Sequence, residues 1–482
     1  MPIQTMSLEL AGRMYKNAAP RLTRVWLCLK YHVFASVHIA CPNQFFGGGS
    51  AMRSLRRTVL ACYVLSTALY GIAQSSADLH VTAIRAGKLF EPKSGKMLAN
   101  QTVLIRGEVI QAVGSNIEIP ADAKIIDLST ETVLPGFIDV HTHLTFNAGS
   151  GGLQGLTISV PRQALIGAKN ARITLLAGFT TVRNLGAEQF SDVALRDAIN
   201  DGDVIGPRMQ VSGPMLSITG GHGDNSLLPF EYHATGDGVA DGPDQIRHKV
   251  RENIKYGADV IKFAASGGTM SKGDNPLLES YSPEEMQVLV TEAHRQGRKV
   301  ATHAHSALSI KDAVRAGVDS VEHGIFLDDE GISLMKEHGT YLVPTSFPLF
   351  WYTEHMESMH LPKYTEDKIK MILPAAKISM AKAFKSGVKV ALGTDAGVYP
   401  HGLNAGEYWS IVKLGLTPVE ALQAGSINAA DLMGWSDRIG AIEPGKFADI
   451  VAVNGNPLND ISILQHVSFV MKGGVVYKTG DQ

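Results

Sequence analysis

His141-Thr142-His143, His303-Ala304-His305, His323 and Asp395 each close a short apolar run, respectively Phe137-Ile-Asp-Val, Lys299-Val-Ala-Thr, Ser320-Val-Glu and Val390-Ala-Leu-Gly-Thr. Imidazole nitrogens and carboxylate oxygens are the donors that zinc and similar divalent ions take. Residues two apart on a strand share a face, so His141 and His143 can reach one ion together. A lone His-x-His pair arises easily by chance. Five histidines and an aspartate at four strand ends point to a common centre instead.

Lys262 adds a second clue. It lies within Asp259-Val-Ile-Lys-Phe-Ala-Ala-Ser-Gly-Gly268, a run that reads as a buried strand. An ammonium there is costly unless paired or neutralised. Beside ions held by neutral imidazoles it would also repel them. A buried lysine of lowered pKa offers a free amine, and an amine that adds CO2 becomes a carbamate, an anion with two oxygens that can bridge two metals. These residues predict two divalent ions, zinc being the expected metal, with carboxylated Lys262 between them.

Such a centre needs strands that end together. From Leu134 on, apolar runs alternate with amphipathic stretches. Strands are expected at 136–144, 180–185, 208–213, 259–265, 299–304, 320–322, 341–344 and 388–393, with helices at 161–177, 245–256, 282–296, 307–316, 330–337, 375–385 and 417–432. Ser282-Pro283-Glu284-Glu285 carries an N-cap, a proline at N1 and a capping-box glutamate. Eight strand–helix alternations predict a (β/α)8 TIM barrel over 135–439, whose active site would form at the C-terminal strand ends. Residues 79–134 alternate short β-like runs with turns, and β-like text returns after Gly440. The two ends, 78–134 and 440–482, predict one small β-sandwich domain into which the barrel is inserted. Long loops at 214–242, 267–281 and 346–363 would overhang the site.

His141-x-His143, Lys262, His303, His323 and Asp395 together resemble the binuclear metal-dependent branch of the amidohydrolase superfamily. So do Leu134-Pro-Gly-Phe-Ile-Asp-Val-His-Thr-His143 and Gly440-Ala-Ile-Glu-Pro-Gly-Lys-Phe-Ala-Asp-Ile450, and the resemblance spans about residues 79–480. Within that branch, Val260-Ile-Lys-Phe-Ala-Ala-Ser-Gly-Gly-Thr-Met-Ser271, Gly220-Gly-His-Gly-Asp224 and Asp274-Asn-Pro276 resemble the Xaa-Pro dipeptidase and ochratoxinase group. The resemblance implies His141, His143 and Asp395 on one metal, His303 and His323 on the other, and Lys262 bridging. Many dipeptidase-like members carry tyrosine where His305 stands.

These parts imply an amide hydrolase acting on an N-acyl amino acid or dipeptide, with an ochratoxin-type substrate inside that class. Two ions would make a shared water nucleophilic near neutral pH. Asp395 would move the proton from that water to the leaving nitrogen, and His305 would hydrogen-bond the developing oxyanion. His222, His305, Gly267, Gly268 and Arg183 are the expected substrate-binding residues, with loop bracing the alternative for His222; Arg183 suits a substrate carboxylate or, more readily, a structural ion pair at the barrel rim. The aromatics of 347–352 suit a large apolar group, a packed lid or a subunit interface. A cyclic-amide hydrolase or lactonase on the same centre is the alternative, and a non-catalytic periplasmic binding protein a remote one. A mononuclear deaminase has no use for Lys262.

Charge narrows the partners. Residues 1–77 hold 8 Lys and Arg against 1 acidic residue, so the remaining 36 against 45 leave a body of net charge −9. A mildly acidic body with no basic run excludes a nucleic-acid binder. The expected partners are a small-molecule substrate and further copies of the chain in a homo-oligomer, without stable membrane association. Cys28, Cys41 and Cys62 all precede the body, so no thiolate ligand is available there. Met52-Arg-Ser-Leu-Arg-Arg-Thr-Val precedes an apolar run over 59–73 and small-x-small sites at Ala73 and Ala77. This predicts a signal peptide over 52–77, a periplasmic or secreted protein, and an upstream extension over 1–51 that is not native.

Overall fold

β-branched runs recur along both ends of the chain and between its helices, and a computed structural model describes residues 81–149 and 152–480. The leader and the three cysteines lie outside the described residues. In chain order, β1 (Val81–Glu91), β2 (Lys96–Arg106), β3 (Val109–Gly114) and β4 (Lys124–Pro135) come first. Then strands and helices alternate: β5 (Phe137–Thr142), α1 (Val160–Leu176), β6 (Phe179–Asn184), α2 (Ser191–Asn200), β7 (Arg208–Val211), α3 (Gly242–Lys255), β8 (Val260–Ala264), α4 (Pro283–Arg295), β9 (Lys299–Ala304), α5 (Ala307–Ala316), β10 (Ser320–His323), α6 (Asp329–His338) and β11 (Tyr341–Val343). Helices α7 (Phe347–His355), α8 (Lys363–Lys385), α9 (Gly406–Lys413), α10 (Pro418–Gln423) and α11 (Ala429–Met433) follow, and β12 (Ile450–Val453), β13 (Val467–Lys472) and β14 (Val475–Thr479) close the chain.

The two chain ends pair into one seven-stranded sheet of order β14-β13-β12-β4-β1-β2-β3. They meet where β12 runs antiparallel to β4, with Ile450 opposite Pro135. Ile84, Leu89, Val103, Ile105, Phe469 and Met471 share its core. Where two stacked layers were expected, the pairing runs through one continuous sheet.

The alternating region holds two parallel sheets, β5-β6-β7 and β11-β10-β9-β8. Every residue of β5, β6, β8, β10 and β11 is buried, as expected of strands covered by helices. Backbone bonds link the sheets on both sides. Leu216 N–H donates to Lys262 O and Ala264 N–H to Leu216 O, while Leu342 N–H donates to Lys389 O and Val140 N–H to Leu392 O. Seven of the eight expected strands are present. The eighth, 388–393, forms only an isolated bridge between Val390 and Leu342. Its backbone is shared: Ala391 N–H donates to Leu342 O, but Leu392 N–H donates to Ala424 O, and just beyond the segment Thr394 and Asp395 N–H both turn onto His141 O. The capping box at Ser282 forms as its spacing predicts, Glu285 N–H donating to Ser282 Oγ and Ser282 N–H to Glu285 Oε2. Among the described residues, no helix is long and apolar enough to cross a membrane.

Candidate active site

A cavity of about 590 Å3 opens where the parallel strands end, lined by His141, His143, His222, Lys262, His303, His305, His323 and Asp395. Below them Leu185, Val260 and Ala301 pack as an apolar floor. All six expected metal ligands are therefore brought to one place, along with His222 and His305.

β5 delivers His141 and His143 on one face. Asp395 Oδ1 lies 3.4 Å from His141 Nε2 and 3.2 Å from His143 Nε2. Suitable donor atoms of these three residues all lie within 4.8 Å of one another. Asp395 adopts φ +60°, a left-handed backbone that only a surrounding framework sustains in a non-glycine residue. Asp139, on the same face of β5, supplies that framework. Its carboxylate accepts from His141 N–H at 3.1 Å, Thr394 N–H at 3.1 Å, Thr394 Oγ1 at 2.6 Å and Asn404 Nδ2 at 2.9 Å. Burial pushes the Asp139 pKa up to about 7.

His141 is aimed from behind. Its Nδ1 lies 2.8 Å from Glu322 Oε2, which assigns Nδ1 the proton and leaves the Nε2 lone pair facing Asp395 and the cavity. Glu322 also takes Arg183 Nη2 at 3.0 Å and Ser320 Oγ at 2.5 Å, and Arg183 Nε donates to Val140 O at 2.6 Å. Arg183 is 1% exposed and does not line the cavity. Its guanidinium neutralises Glu322, so the substrate-carboxylate role expected of it becomes a positioning role. Burial pushes the Glu322 pKa up, but Arg183 and His141 outweigh it and hold the group at about 2. Glu322→Gln should weaken metal affinity about 10- to 100-fold and lower the melting temperature, because Arg183 is left buried without a counter-ion. Chelator competition and thermal unfolding measure the two effects.

The remaining imidazoles form a packed array. Ring centroids are 5.1 Å apart for His141 and His323, 4.7 Å for His303 and His323, 4.4 Å for His303 and His305, and 4.2 Å for the stacked His222 and His303. His323 Nδ1 is held by Thr345 Oγ1 at 2.7 Å. Both residues have positive φ, +71° and +45°. Successive strand residues point to opposite faces, yet Glu322 and His323 both reach His141; the left-handed turn at His323 brings its ring round. Burial pushes the pKa of His141 down to about 4 and that of His305 to about 3, and those of His303 and His323 well down. Neutral imidazoles keep their lone pairs. Lys262, 1% exposed, is lowered to about 8, chiefly by burial. Its Nζ and His305 Nδ1 have no hydrogen-bond partner among the described residues.

The model of the amidohydrolase family matches residues 132–479. This chain belongs to the amidohydrolase family. An ochratoxinase of Aspergillus niger is 36% identical over 439 residues, 84% of this chain and 88% of that protein. A solved Xaa-Pro dipeptidase with methionine bound in its active site aligns with TM-score 0.77 and 36% identity, covering 83% of this chain and 100% of the other. The crystal structure of the A. niger ochratoxinase aligns with TM-score 0.76 and 33% identity, covering 83% and 96%. A prolidase complexed with N-methylphosphonate-L-proline gives TM-score 0.76 and 32% identity, covering 83% and 100%. The family is generally metal-dependent, and His141, His143 and Asp395 form a possible metal site in this amidohydrolase.

The glycines after β8 work differently from expectation in this amidohydrolase. Gly267 and Gly268 do not line the cavity. They are needed for close approach: a Cβ on Gly267 would stand 2.4 Å from Asn275 O, and one on Gly268 2.2 Å from the His222 ring. Their loop is clamped. Lys368 Nζ on α8 donates to Gly268 O at 2.9 Å, Ser271 O at 2.8 Å and Asp274 Oδ1 at 2.6 Å. Asp274 accepts from Ser271 Oγ at 2.7 Å, and Ser271 Oγ lies 2.8 Å from His222 Nδ1. Gly268→Ala should therefore displace His222 and lower kcat/KM at least about tenfold by misplacing it, with metal content unchanged by elemental analysis.

The aromatic loop divides. Tyr352, Pro348 and Leu349 line the cavity, with Phe146, Met215, Met270, Tyr364 and Ile372 facing them. Phe347 packs on Tyr399, Phe350 on Trp409, and Trp351 stacks on His355 at 3.8 Å. The large apolar space is thus built by residues from several loops rather than by the 347–352 cluster. Sequence reasoning missed Glu322, Asp139 and Thr345. Glu322 carried a signal, as a carboxylate inside a buried strand, but nothing local named its partners.

Proposed function

We propose that this amidohydrolase cleaves the amide bond of an N-acyl amino acid or dipeptide, with an ochratoxin-type acyl-phenylalanine inside that class. The carrying observation is Lys262: a buried amine without a hydrogen-bond partner among the described residues, lining the same cavity as His141, His303, His305, His323 and Asp395. The donor set fits metal ions, since His141 and His323 have Nδ1 engaged behind them and Nε2 free. His141, His143 and Asp395 would hold one divalent ion, His303 and His323 another, and carboxylated Lys262 would bridge them, zinc being the expected metal. Bound there, the ions would polarise an acyl carbonyl and lower the pKa of a water.

The side chains do the rest. In the metal-free chain with unmodified Lys262, burial raises the Asp395 pKa, but the His143 hydrogen bond leads the effects that hold Asp395 below the usual carboxylate range. It is an ionised base for the attacking water and returns the proton to the leaving nitrogen. His305 donates to the developing oxyanion. His222, fixed through Ser271, contacts the leaving portion. The apolar lining excludes water and takes a bulky apolar substituent. The names of the ochratoxinase and Xaa-Pro dipeptidase relatives support an amide between an acyl group and an amino acid. We also read the two parallel sheets and 388–393 as one closed (β/α)8 barrel, the chain as a homo-oligomer, and its leader as directing it to the periplasm or outside.

The test is a screen of zinc-loaded protein in bicarbonate buffer against N-acyl amino acids, dipeptides, ochratoxin A, lactones and cyclic amides. Release of the free amino acid from one of the first three is the expected result. Cleavage of lactones or cyclic amides alone would sink the substrate class.

A further inference from the structure

Tyr352 is 5% exposed and lines the cavity, yet its hydroxyl has only the Met270 thioether, 4.0 Å away, as a partner among the described residues. A thioether is a weak acceptor, and a buried phenol ordinarily finds a better one. Other tyrosines do. Tyr281 donates to Ala240 O at 3.1 Å and Tyr341 to Asp431 Oδ2 at 2.8 Å. Tyr399, buried as well, does not line the cavity.

The position of Tyr352 is built. It rides on α7, whose first turn is anchored by buried Glu407, which accepts from Ser346 N–H at 2.8 Å, Ser346 Oγ at 2.8 Å and Phe347 N–H at 2.7 Å. Met270 belongs to the loop that Lys368 clamps. A rigid donor is thus held over the cavity with no acceptor worth the name. Burial first, and the Asp395 carboxylate second, push its pKa up, so it stays a neutral donor in the cavity that Asp395 also lines.

We propose that Tyr352 is a further catalytic residue, its hydroxyl donating a hydrogen bond to the acyl oxygen of the substrate. This rests on the hydrolase reading above. An acyl oxygen gains negative charge as the carbonyl is attacked, so the bond strengthens in the transition state and acts on kcat more than on KM. Together with His305 it makes a two-donor oxyanion site from two different strand-end loops.

Tyr352→Phe in the full, zinc-loaded chain tests this. Removal of one such donor should lower kcat about 100-fold and weaken binding of an N-methylphosphonyl amino acid, a tetrahedral analogue, by a similar factor, with KM within about threefold. Metal content and melting temperature should match the parent, because the lost hydroxyl bonds only a sulfur. Tyr352→His, which keeps a ring donor, should retain more kcat than the phenylalanine variant. Parental kcat and analogue affinity in Tyr352→Phe would overturn the role, and so would equal losses in both variants, which would indicate shape alone. If the parent cleaves only lactones or cyclic amides, the substrate class fails while Tyr352 is still judged on those acyl oxygens. If the parent cleaves no acyl compound and binds no analogue, both readings fall.

Discussion

Lys262→Ala should lose metal and activity together: fewer than two ions per chain by elemental analysis, and a fall in kcat/KM of about 1000-fold or more, since ions that depress the pKa of a water act only when held together. The reason is charge. On the proposed reading, histidines and one aspartate would leave two divalent ions under-neutralised, and a carbamate on Lys262 would be the anion available between them. In the parent, carbon-13 bicarbonate should label the lysine and give a carbamate resonance that the variant lacks. A fully active, two-metal Lys262→Ala protein would remove the bridging role. The metal-free parent adds a pH signature. The Lys262 pKa is lowered from 10.5 to about 8 in the fold, so between those values the unfolded chain binds the extra proton. Stability of the metal-free protein should then rise with pH across that window, and Lys262→Ala should lose this part of the slope.

Asp395→Asn is the second large effect. Asparagine tolerates left-handed backbone, so φ +60° at this position can persist while the charge disappears. A general base contributes about 100- to 10,000-fold, and kcat should fall within that range or beyond it, with weaker metal retention at the His141 and His143 end. The acidic limb of the pH–rate profile should vanish as well. An Asp395→Asn protein with parental kcat and an unchanged acidic limb would take the proton transfer away from this residue.

Much of this molecule is written locally. The strands β5, β6, β8, β10 and β11 were legible because each is a continuous buried run, as is β9 after Lys299, the signature of strands covered on both faces. The residues that line the cavity were legible because several imidazoles and a carboxylate stand together at strand ends, where one such residue alone would say little. Segment 388–393 reads like the others, yet its Leu392 amide turns to Ala424 O, a partner that lies 32 positions away in the chain and leaves no local trace. An arginine at a strand end suits a substrate carboxylate or a structural ion pair, and Arg183 makes the ion pair. That the carboxylate would be Glu322, inside the fold, depends on which strands face each other.

The sequence by itself determined which side chains could ligate a metal and which family the chain joins. These depend on side-chain type and short spacing. Only the tertiary structure decided direction. His323 faces the cavity because its backbone is left-handed, His141 presents Nε2 because Glu322 holds Nδ1, and His222 rests on His303 because Gly268 has no Cβ. Each of these follows from contacts between strands and loops distant in sequence, where dihedral strain and hydrogen-bond direction are set by neighbours that local pattern does not name.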